Sequence, residues 1–307
     1  MTEYYPSRIN EEGRSLHYKN FLARNITGKF LTILINFFGL ITILPIILVL
    51  SYVLIKGGSQ INFALLTQLP EPPGENLLGA GGIGNAIAGT FIVTFIAAII
   101  SVPIGIGGGI YLSEYASNGN FSRFIRFGTN VLSAVPSIIA GVFVYGIIVS
   151  TKIILGTTFS AIAGSIALSI LMLPTIIKTT DEGLKLVPDE LRKGSLGVGA
   201  SNFTTIIQIT LPAAISSIST GVLLAVARAA GETAPLIFTA LFSFYWPNSS
   251  DSLLSPIASL SVLIYNFALE PYKSQNELAW AASFILVIIL LILNILSKLI
   301  SQFHYKN

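Results

Sequence analysis

The stretch Asp181–Pro212 has the sequence DEGLKLVPDELRKGSLGVGASNFTTIIQITLP and forms a polar break between two long apolar runs. Its pattern predicts two short helices joined by a tight turn. Pro188 suits the first position of the first helix, because a helix start tolerates the missing N–H, and two acidic residues follow it. Gly199 can adopt the left-handed conformation that ends this helix. The stretch therefore predicts a compact helical hairpin.

The second helix of this hairpin carries a small apolar face. Ser201 or Asn202 can cap its first turn, and Pro212 is expected to stop it. The residues that share the face at helical spacing are Phe203, Ile206, Ile207 and Thr210. Two interpretations follow: the hairpin docks another protein by placing a helix in a groove, or it is an ordinary connection between two membrane spans.

The composition places the rest of the chain in a membrane. Of its 307 residues, 53% are hydrophobic and only 10% are charged, whereas soluble proteins carry about 25% charged residues. We predict an all-α, polytopic bundle of six transmembrane helices. The expected spans are residues 30–55, 83–112, 127–150, 159–177, 213–240 and 278–303, with a docking loop at 181–212 and tails at 1–29 and 304–307.

The basic residues predict the orientation of this bundle. Six spans place both termini on one side, where 13 of the 17 Lys and Arg residues lie, against three on the other side. Cytoplasmic segments of membrane proteins carry such an excess of positive charge. We therefore expect both termini and the docking loop to be cytoplasmic. The long segment 241–277 is expected to be external, with Trp246 and Trp280 as interface anchors.

The chain lacks the motifs of several other classes of protein. It contains no cysteine, which excludes disulfides and thiolate metal sites. Neither a dinucleotide fingerprint nor a P-loop occurs in it. We expect no catalytic residue, metal or cofactor, and any ATPase that drives this protein is a separate polypeptide.

One arginine lies within a predicted span. Arg228 and Glu232 are four residues apart on the fifth span, so both project from one helix face. A lone charge at mid-bilayer costs at least about 2.5 kcal/mol, so such residues face a partner or a watery cavity. The pair is either an internal ion pair that fastens the bundle, or an oxyanion site. In an oxyanion site the guanidinium fork matches phosphate oxygens, and Glu232 orients the fork or accepts a proton.

Other polar residues are candidates for the same path. Pro136 breaks the third span, and Ser133 and Ser137 beside it either satisfy the freed carbonyl or face a polar passage. Thr233 directly follows Glu232. These residues are predicted to line a substrate path.

The hairpin resembles the EAA loop of bacterial ABC importer permeases, through which those permeases engage their ATPase. Gly199, nine residues and then Ile-Thr-Leu-Pro match the end of that motif. Lys193-Gly194-Ser195 stand where the family has Glu-Ala-Ala, so the name-giving acid is absent, and Glu190 is the candidate to replace it. The docking residues implied by the resemblance are Glu190, Gly199, Phe203, Ile206, Ile207, Ile209, Leu211 and Pro212.

Three further segments resemble the PstA-type permeases of bacterial phosphate ABC importers: GGIGNAIAGT at 81–90, SAVPSIIAGVFVYG at 133–146 and ARAAGETAPLIFTA at 227–240. The resemblance implies a type I, MetI-like permease that passes inorganic phosphate across the bacterial plasma membrane. It implies a PstC-type permease as heterodimer partner, two PstB-type ATPase subunits and an external PstS-type binding protein. By the same resemblance Arg228 matches an arginine linked to phosphate passage, and Lys178 occupies a position where a basic residue is expected.

Two alternative functions stay open at this point. An ABC permease for another oxyanion, such as sulfate or molybdate, would share the docking loop, and uptake competition would separate it from a phosphate permease. A secondary transporter or channel would work without an ATPase. The inverted repeats that are common in such transporters are not evident here.

Overall fold

The fold is described by a computed structural model over residues 11–72, 81–115, 119–152, 156, 158–247 and 253–305, with side chains described from residue 27 to residue 300. No β-strand occurs among the described residues. The helices are α1 (Glu11–Gly58), α2 (Phe63–Thr67), α3 (Gly84–Ile110), α4 (Asn120–Ala134), α5 (Ser137–Val144), α6 (Ala161–Lys185), α7 (Asp189–Gly197), α8 (Asn202–Thr205), α9 (Leu211–Ala230), α10 (Ala234–Thr239), α11 (Leu260–Ala268) and α12 (Lys273–Tyr305). Three π-helical turns, Tyr111–Tyr115, Tyr145–Val149 and Ile206–Thr210, extend α3, α5 and α8.

The chain divides into two compact units, residues 1–54 and residues 55–307. In the first unit α1 begins at Glu11 and continues without interruption into the first apolar run. The predicted tail 1–29 is therefore helical from residue 11 onward, and its first ten residues lie outside the described part of the chain.

Five helical segments of the described chain are long and apolar enough to cross a bilayer: 27–58, 84–115, 161–185, 202–230 and 273–300. Helices α4 and α5 make up a sixth when they are counted together. The prediction of an all-α, multi-pass membrane protein is confirmed.

The predicted third span, 127–150, is not a single helix. Its two parts, Asn120–Ala134 and Ser137–Val149, meet at an angle of 105°. Val135 is extended (φ −70°, ψ 129°), as expected for a residue before proline, and Pro136 has no N–H with which to continue α4. The carbonyl of Leu132 accepts from the Val135 N–H (3.4 Å), and Ser133 Oγ donates to the Thr129 carbonyl (2.7 Å) instead.

The prediction that Pro212 stops the second hairpin helix is wrong. The helix that begins at Asn202 runs through Pro212 to Ala230. A π-helical turn at Ile206–Thr210 comes directly before the α9 turn that holds Pro212, and this wider turn absorbs the missing N–H. The hairpin and the fifth span thus share one continuous helix.

The predicted fifth span, 213–240, ends ten residues early. Helix α9 stops at Ala230, and the short α10 starts after the break at residues 231–233. Pro235 lies in the first turn of α10, where it cannot donate the hydrogen bond that a continuing helix requires. The backbone therefore breaks close to Arg228.

The core lies where α3, α6, α9 and α10 pack together. Val93, Leu168, Met172, Ala225 and Leu236 are buried in one apolar cluster. Close approach of α3 and α6 depends on small residues, since a Cβ at Gly105 would lie 2.6 Å from Ile176 Cγ2. The end of α9 that carries Arg228 therefore packs against α3, α6 and α10.

The segment 241–277, predicted as a long loop, contains α11 and the start of α12. Ser259 caps α11 by accepting from the Val262 N–H, and the Leu260 N–H donates to Thr90 Oγ1 (2.9 Å) on α3. This contact, which spans 170 residues, cannot be recognised from local sequence.

Candidate functional site

The hairpin predicted from the sequence consists of α7 and α8. Gly199 has φ +92° and ends α7, and Ser201 Oγ caps α8 by accepting from the Thr204 N–H (3.1 Å), so both predictions are confirmed. Pro188 directly precedes α7, with the acidic residues in its first turn. The Ser195 and Thr205 hydroxyls share a buried hydrogen bond of 2.9 Å, which ties the two helices together.

The hairpin exposes apolar side chains on its outer surface. Phe203 is 66% exposed, Val198 is 87% exposed and Ile207 is 45% exposed. Of the other candidate docking residues, Glu190, Gly199 and Pro212 are exposed, whereas Ile209 and Leu211 are half-buried. Ile206 does not belong to this outer surface, because it lies in the π-helical turn and is only 5% exposed.

Arg192 of α7 fastens the hairpin to the bundle. Its Nη2 and Nε donate to the two carboxylate oxygens of Glu114 at 2.8 and 3.2 Å. Its Nη2 and Nη1 also donate to the carbonyls of Leu184 (2.7 Å) and Val187 (2.6 Å), at the end of α6. The side chains of Arg192 and Glu114 are only 19% and 9% exposed. We call Arg192, Glu114 and these two carbonyls the clasp.

The clasp joins three helices through one guanidinium. Glu114 lies in the π-helical turn that extends α3, and Arg192 lies in α7. The Leu184 carbonyl belongs to the last turn of α6, and the Val187 carbonyl follows just after that helix. The hydrogen bond that Arg192 donates to Glu114 is the main cause that raises the pKa of Arg192 above its usual range, against the opposing effect of burial. Arg192 therefore stays charged, and α7 is held to both membrane helices.

A second ion cluster lies beside the clasp. The Arg126 guanidinium of α4 pairs with Asp181 of α6 and donates to the Leu112 carbonyl (3.0 Å), while Lys185 Nζ lies 2.8 Å from Asp181 Oδ2. Asp181 is only 8% exposed. This cluster fixes α4 to α6 at the end of the bundle that carries the hairpin.

Neither cluster was predicted from the sequence, because only their basic residues were used, and those were used only to predict orientation. One signal was present: Glu114 and Asp181 are acids at the ends of apolar runs, on a side where basic residues dominate. Acidic side chains that are buried at such positions are almost always paired with a cation.

Arg228 and Glu232 lie at the break after α9. Arg228 Nε is 3.4 Å from Glu232 Oε1, and the side chains are 63% and 16% exposed. The Glu232 backbone carbonyl accepts from Ser261 Oγ (2.8 Å) of α11, which anchors the break. A long, single contact leaves most donors of the guanidinium available to another partner.

The remaining candidate path residues lie apart from one another. Lys178 is half-buried on α6, and Thr233 follows the break directly before α10. Ser133 is exposed and donates to the Thr129 carbonyl (2.7 Å), and Ser137 starts α5 beyond the bend. Arg228 and Glu232 line a common cleft of about 10 Å³, which is room for about one water molecule, and Leu171 and Thr175 of α6 also line it.

An open pocket of about 560 Å³ lies between that cleft and the hairpin. Thr179 of α6 and Ser216, Ser217 and Thr220 of α9 line it, and Pro188 closes its end at the hairpin. None of the described residues that line this pocket is charged.

The docking role implied by the sequence resemblance predicts that Gly199→Val weakens binding of the hairpin to the ATPase. Gly199 has φ +92°, where a β-branched residue costs about 1 kcal/mol or more. No atom lies within 4 Å of an added Cβ, so the effect comes from the backbone alone. Co-purification with the ATPase measures the change.

Gly197→Val is the matched control. Gly197 is the last residue of α7, its φ is not positive, and an added Cβ there would also have open space around it. ATPase binding that is equally strong in both variants would contradict a role for the turn conformation at Gly199.

Comparison with known proteins gives a consistent result. Residues 103–304 match the family described as "Binding-protein-dependent transport system inner membrane component". The chain is 43% identical to the phosphate transport system permease protein PstA of Yersinia pestis over 80% of each chain. It is 36% identical to PstA of Pasteurella multocida over 91% of this chain and 96% of the relative.

The fold is also similar to that of a solved structure titled as inward-facing conformations of the MetNI methionine ABC transporter. The TM-score is 0.56 at 18% identity, over 73% of this chain and 94% of the other. The bundle therefore has the MetI-like architecture that the sequence resemblance implies.

Proposed function

Because the chain belongs to the PstA family of phosphate transport system permease proteins, we infer that it carries inorganic phosphate across the membrane as a subunit of an ATP-driven importer. The observation that carries this conclusion is the identity of 36–43% to phosphate permeases over most of the chain. The chain is a permease subunit and not an enzyme, and ATP is hydrolysed by a separate ATPase.

Arg228 is the proposed phosphate contact. A guanidinium presents paired N–H donors that match two phosphate oxygens. Its contact with Glu232 is a single one of 3.4 Å and its side chain is 63% exposed, which supports a donor that is free to turn toward a passing anion. Glu232 holds the fork in position and can accept a proton from hydrogen phosphate.

The α7–α8 hairpin is the proposed docking element for the ATPase. Phe203 and Ile207 would enter a groove of the ATPase, and Glu190 stands in for the missing acid of the EAA motif. The clasp supports this role, because it connects the hairpin to α3 and α6 at the end of the bundle. By family, the further partners are a PstC-type permease, PstB-type ATPase subunits and an external PstS-type binding protein.

We expect the hairpin side of the bundle to face the cytoplasm, as the distribution of basic residues predicts. The chain has no cysteine, so labelling of a single introduced cysteine shows on which side of the membrane that residue lies. Tyr245→Cys, at a residue 78% exposed in the segment after α10, should react with an impermeant maleimide in intact cells. Asn120→Cys, at the exposed start of α4, should react only after permeabilisation.

Residues 248–252 of this segment lie outside the described part of the chain, so the cysteine is placed at Tyr245. Labelling of both cysteines in intact cells would overturn this orientation.

The function is tested by reconstitution. The chain, its PstC-type partner and the PstB-type ATPase are placed in liposomes with the PstS-type protein, and uptake of radioactive phosphate is followed with and without ATP. We expect ATP-dependent uptake that excess unlabelled phosphate abolishes and excess sulfate or molybdate does not. Uptake that sulfate or molybdate suppresses equally well would refute phosphate as the specific substrate.

A further inference from the structure

The backbone carbonyl of Glu232 lies in the break between α9 and α10. In a continuous helix this carbonyl would accept from the N–H three or four residues later. Pro235 has no N–H, and the Leu236 N–H donates to the Thr233 carbonyl (3.1 Å) instead. The donor comes from another helix, since Ser261 Oγ of α11 donates to the Glu232 carbonyl at 2.8 Å. Ser261 thus replaces the hydrogen bond that the break removes.

The Ser261 hydroxyl is buried, and its single hydrogen is used in this bond. Ser261 is 3% exposed, and the Oγ atom of Ser259, which is 1% exposed, lies 3.3 Å from Ser261 Oγ. Because Ser261 gives its hydrogen to Glu232, Ser259 is the donor between the two serines. Ser259 Oγ accepts in turn from the Val262 N–H (3.4 Å). These groups form a chain of hydrogen bonds that ends at the Glu232 carbonyl, and each bond in such a chain strengthens the next.

The start of α11, which carries Ser261, is fixed to α3. The Leu260 N–H donates to Thr90 Oγ1 (2.9 Å), and Thr90 is 5% exposed. A Cβ at Gly89 of α3 would lie 1.9 Å from the Ala258 carbonyl oxygen, so the two backbones approach as closely as only glycine allows. Ser261 therefore donates from a helix whose own backbone is held in place.

The position of the Glu232 carboxylate depends on this backbone. The Glu232 N–H donates to the Ala229 carbonyl (3.2 Å), and its carbonyl accepts from Ser261, so both sides of the residue are held. Without Ser261 the peptide that follows Glu232 would be free to rotate, because no helix includes it. Rotation would move the carboxylate, whose Oε1 lies 3.4 Å from Arg228 Nε. The orientation of the guanidinium therefore depends on a bond made by α11.

We propose that Ser261 is a positioning residue of the anion site. It holds the backbone of Glu232, so that the Glu232 carboxylate orients the Arg228 guanidinium toward the anion. A binding site has to keep its groups within about 0.5 Å of the productive geometry, which a freely rotating peptide does not provide. The proposal rests on the proposed function, since Ser261 acts through the Arg228 contact with phosphate.

Ser261→Ala removes the donor and leaves a partly buried carbonyl unpaired. Hydrogen–deuterium exchange of the assembled complex, followed by mass spectrometry, measures the break without phosphate. We expect the N–H groups of residues 231–237 to exchange about tenfold faster, as loss of this hydrogen bond implies. Peptides from α3 and α6 should keep their wild-type rates. ATP-driven phosphate uptake by the variant should fall by a similar factor at unchanged abundance in the membrane.

Ser259→Ala is the matched control, because it makes the same substitution two residues away at an equally buried serine. It removes the cap of α11 but leaves the donor to Glu232 in place. Its faster exchange should be confined to the start of α11, and its uptake should stay close to that of the wild type. Ser261→Thr keeps the hydroxyl, so its uptake should recover to the extent that the break regains protection from exchange.

Equal exchange at the break in Ser261→Ala and Ser259→Ala would overturn the positioning role. Normal uptake by Ser261→Ala despite faster exchange at the break would overturn it too, as would low uptake by Ser261→Thr with the break fully protected. Failure of the proposed function gives a different result. A complex that takes up sulfate or molybdate, and loses that uptake in Ser261→Ala, supports the positioning role and overturns phosphate as the solute.

Discussion

We expect Arg228→Gln to reduce ATP-driven phosphate uptake about 10- to 100-fold, because a hydrogen bond to a charged group contributes about 1.5–3 kcal/mol. Arg228→Lys should also transport poorly, since an ammonium keeps the charge but loses the paired donors. Both variants should assemble with the ATPase. The Arg228–Glu232 contact is a single one of 3.4 Å at a 63% exposed side chain, and such pairs add only about 0–1 kcal/mol of stability.

The double variant Arg228→Gln/Glu232→Gln separates a phosphate contact from a structural ion pair. In a structural pair, loss of both charges is tolerated better than loss of one, because Glu232 is 16% exposed and costly without a counter-charge. For a phosphate contact, removing Glu232 restores nothing. Lys298→Gln, which removes an exposed cation from α12, is the matched control and should transport normally. Near-normal uptake by the double variant would leave Arg228 with a structural role only.

The local features of the hairpin could be predicted from the sequence because each rests on a few neighbouring residues. The positive φ of Gly199 and the cap at Ser201 depend on backbone freedom and on a side-chain oxygen within three residues. The apolar runs that cross the membrane are similarly local, since their length alone indicates a span.

The effects of Pro136, Pro212 and Pro235 on the helices could not be predicted in the same way. Pro136 produces a bend of 105°, Pro235 follows a helix break, and Pro212 lies within a continuous helix. Each of these three prolines lacks the same N–H, but the backbone before it differs. A π-helical turn precedes Pro212, whereas an extended residue precedes Pro136. Sequence pattern does not distinguish these surroundings.

The clasp was missed for a different reason. Glu114 and Arg192 are 78 residues apart, and their pairing depends on α3 and α6 being packed side by side. The sequence identifies both as charges near the ends of apolar runs, but it does not identify their partners. In the proposed function the clasp links the docking hairpin to α6, which forms one wall of the Arg228 cleft.

We expect Arg192→Met to detach α7 from α3 and α6, while α8 stays continuous with α9. Methionine keeps an apolar stem of similar reach but leaves Glu114 without its counter-charge at 9% exposure. Breaking such a buried pair costs about 3 kcal/mol or more. The loss falls on the orientation of α7, since the membrane helices retain their own apolar packing. We therefore predict normal abundance in the membrane, with ATPase co-purification and phosphate uptake reduced by more than about tenfold.

Lys193→Met is the matched control for this substitution. Lys193 is the next residue of α7, is exposed and has the same positive charge, so it tests the effect of charge and of methionine without the clasp. The double variant Arg192→Met/Glu114→Gln should recover part of the lost ATPase binding, because it removes the unpaired carboxylate. It should not recover all of it, because the Leu184 and Val187 carbonyls still lack the donors that Arg192 supplied. Uptake and ATPase binding in Arg192→Met that equal those of Lys193→Met would show that α7 holds its position without the clasp.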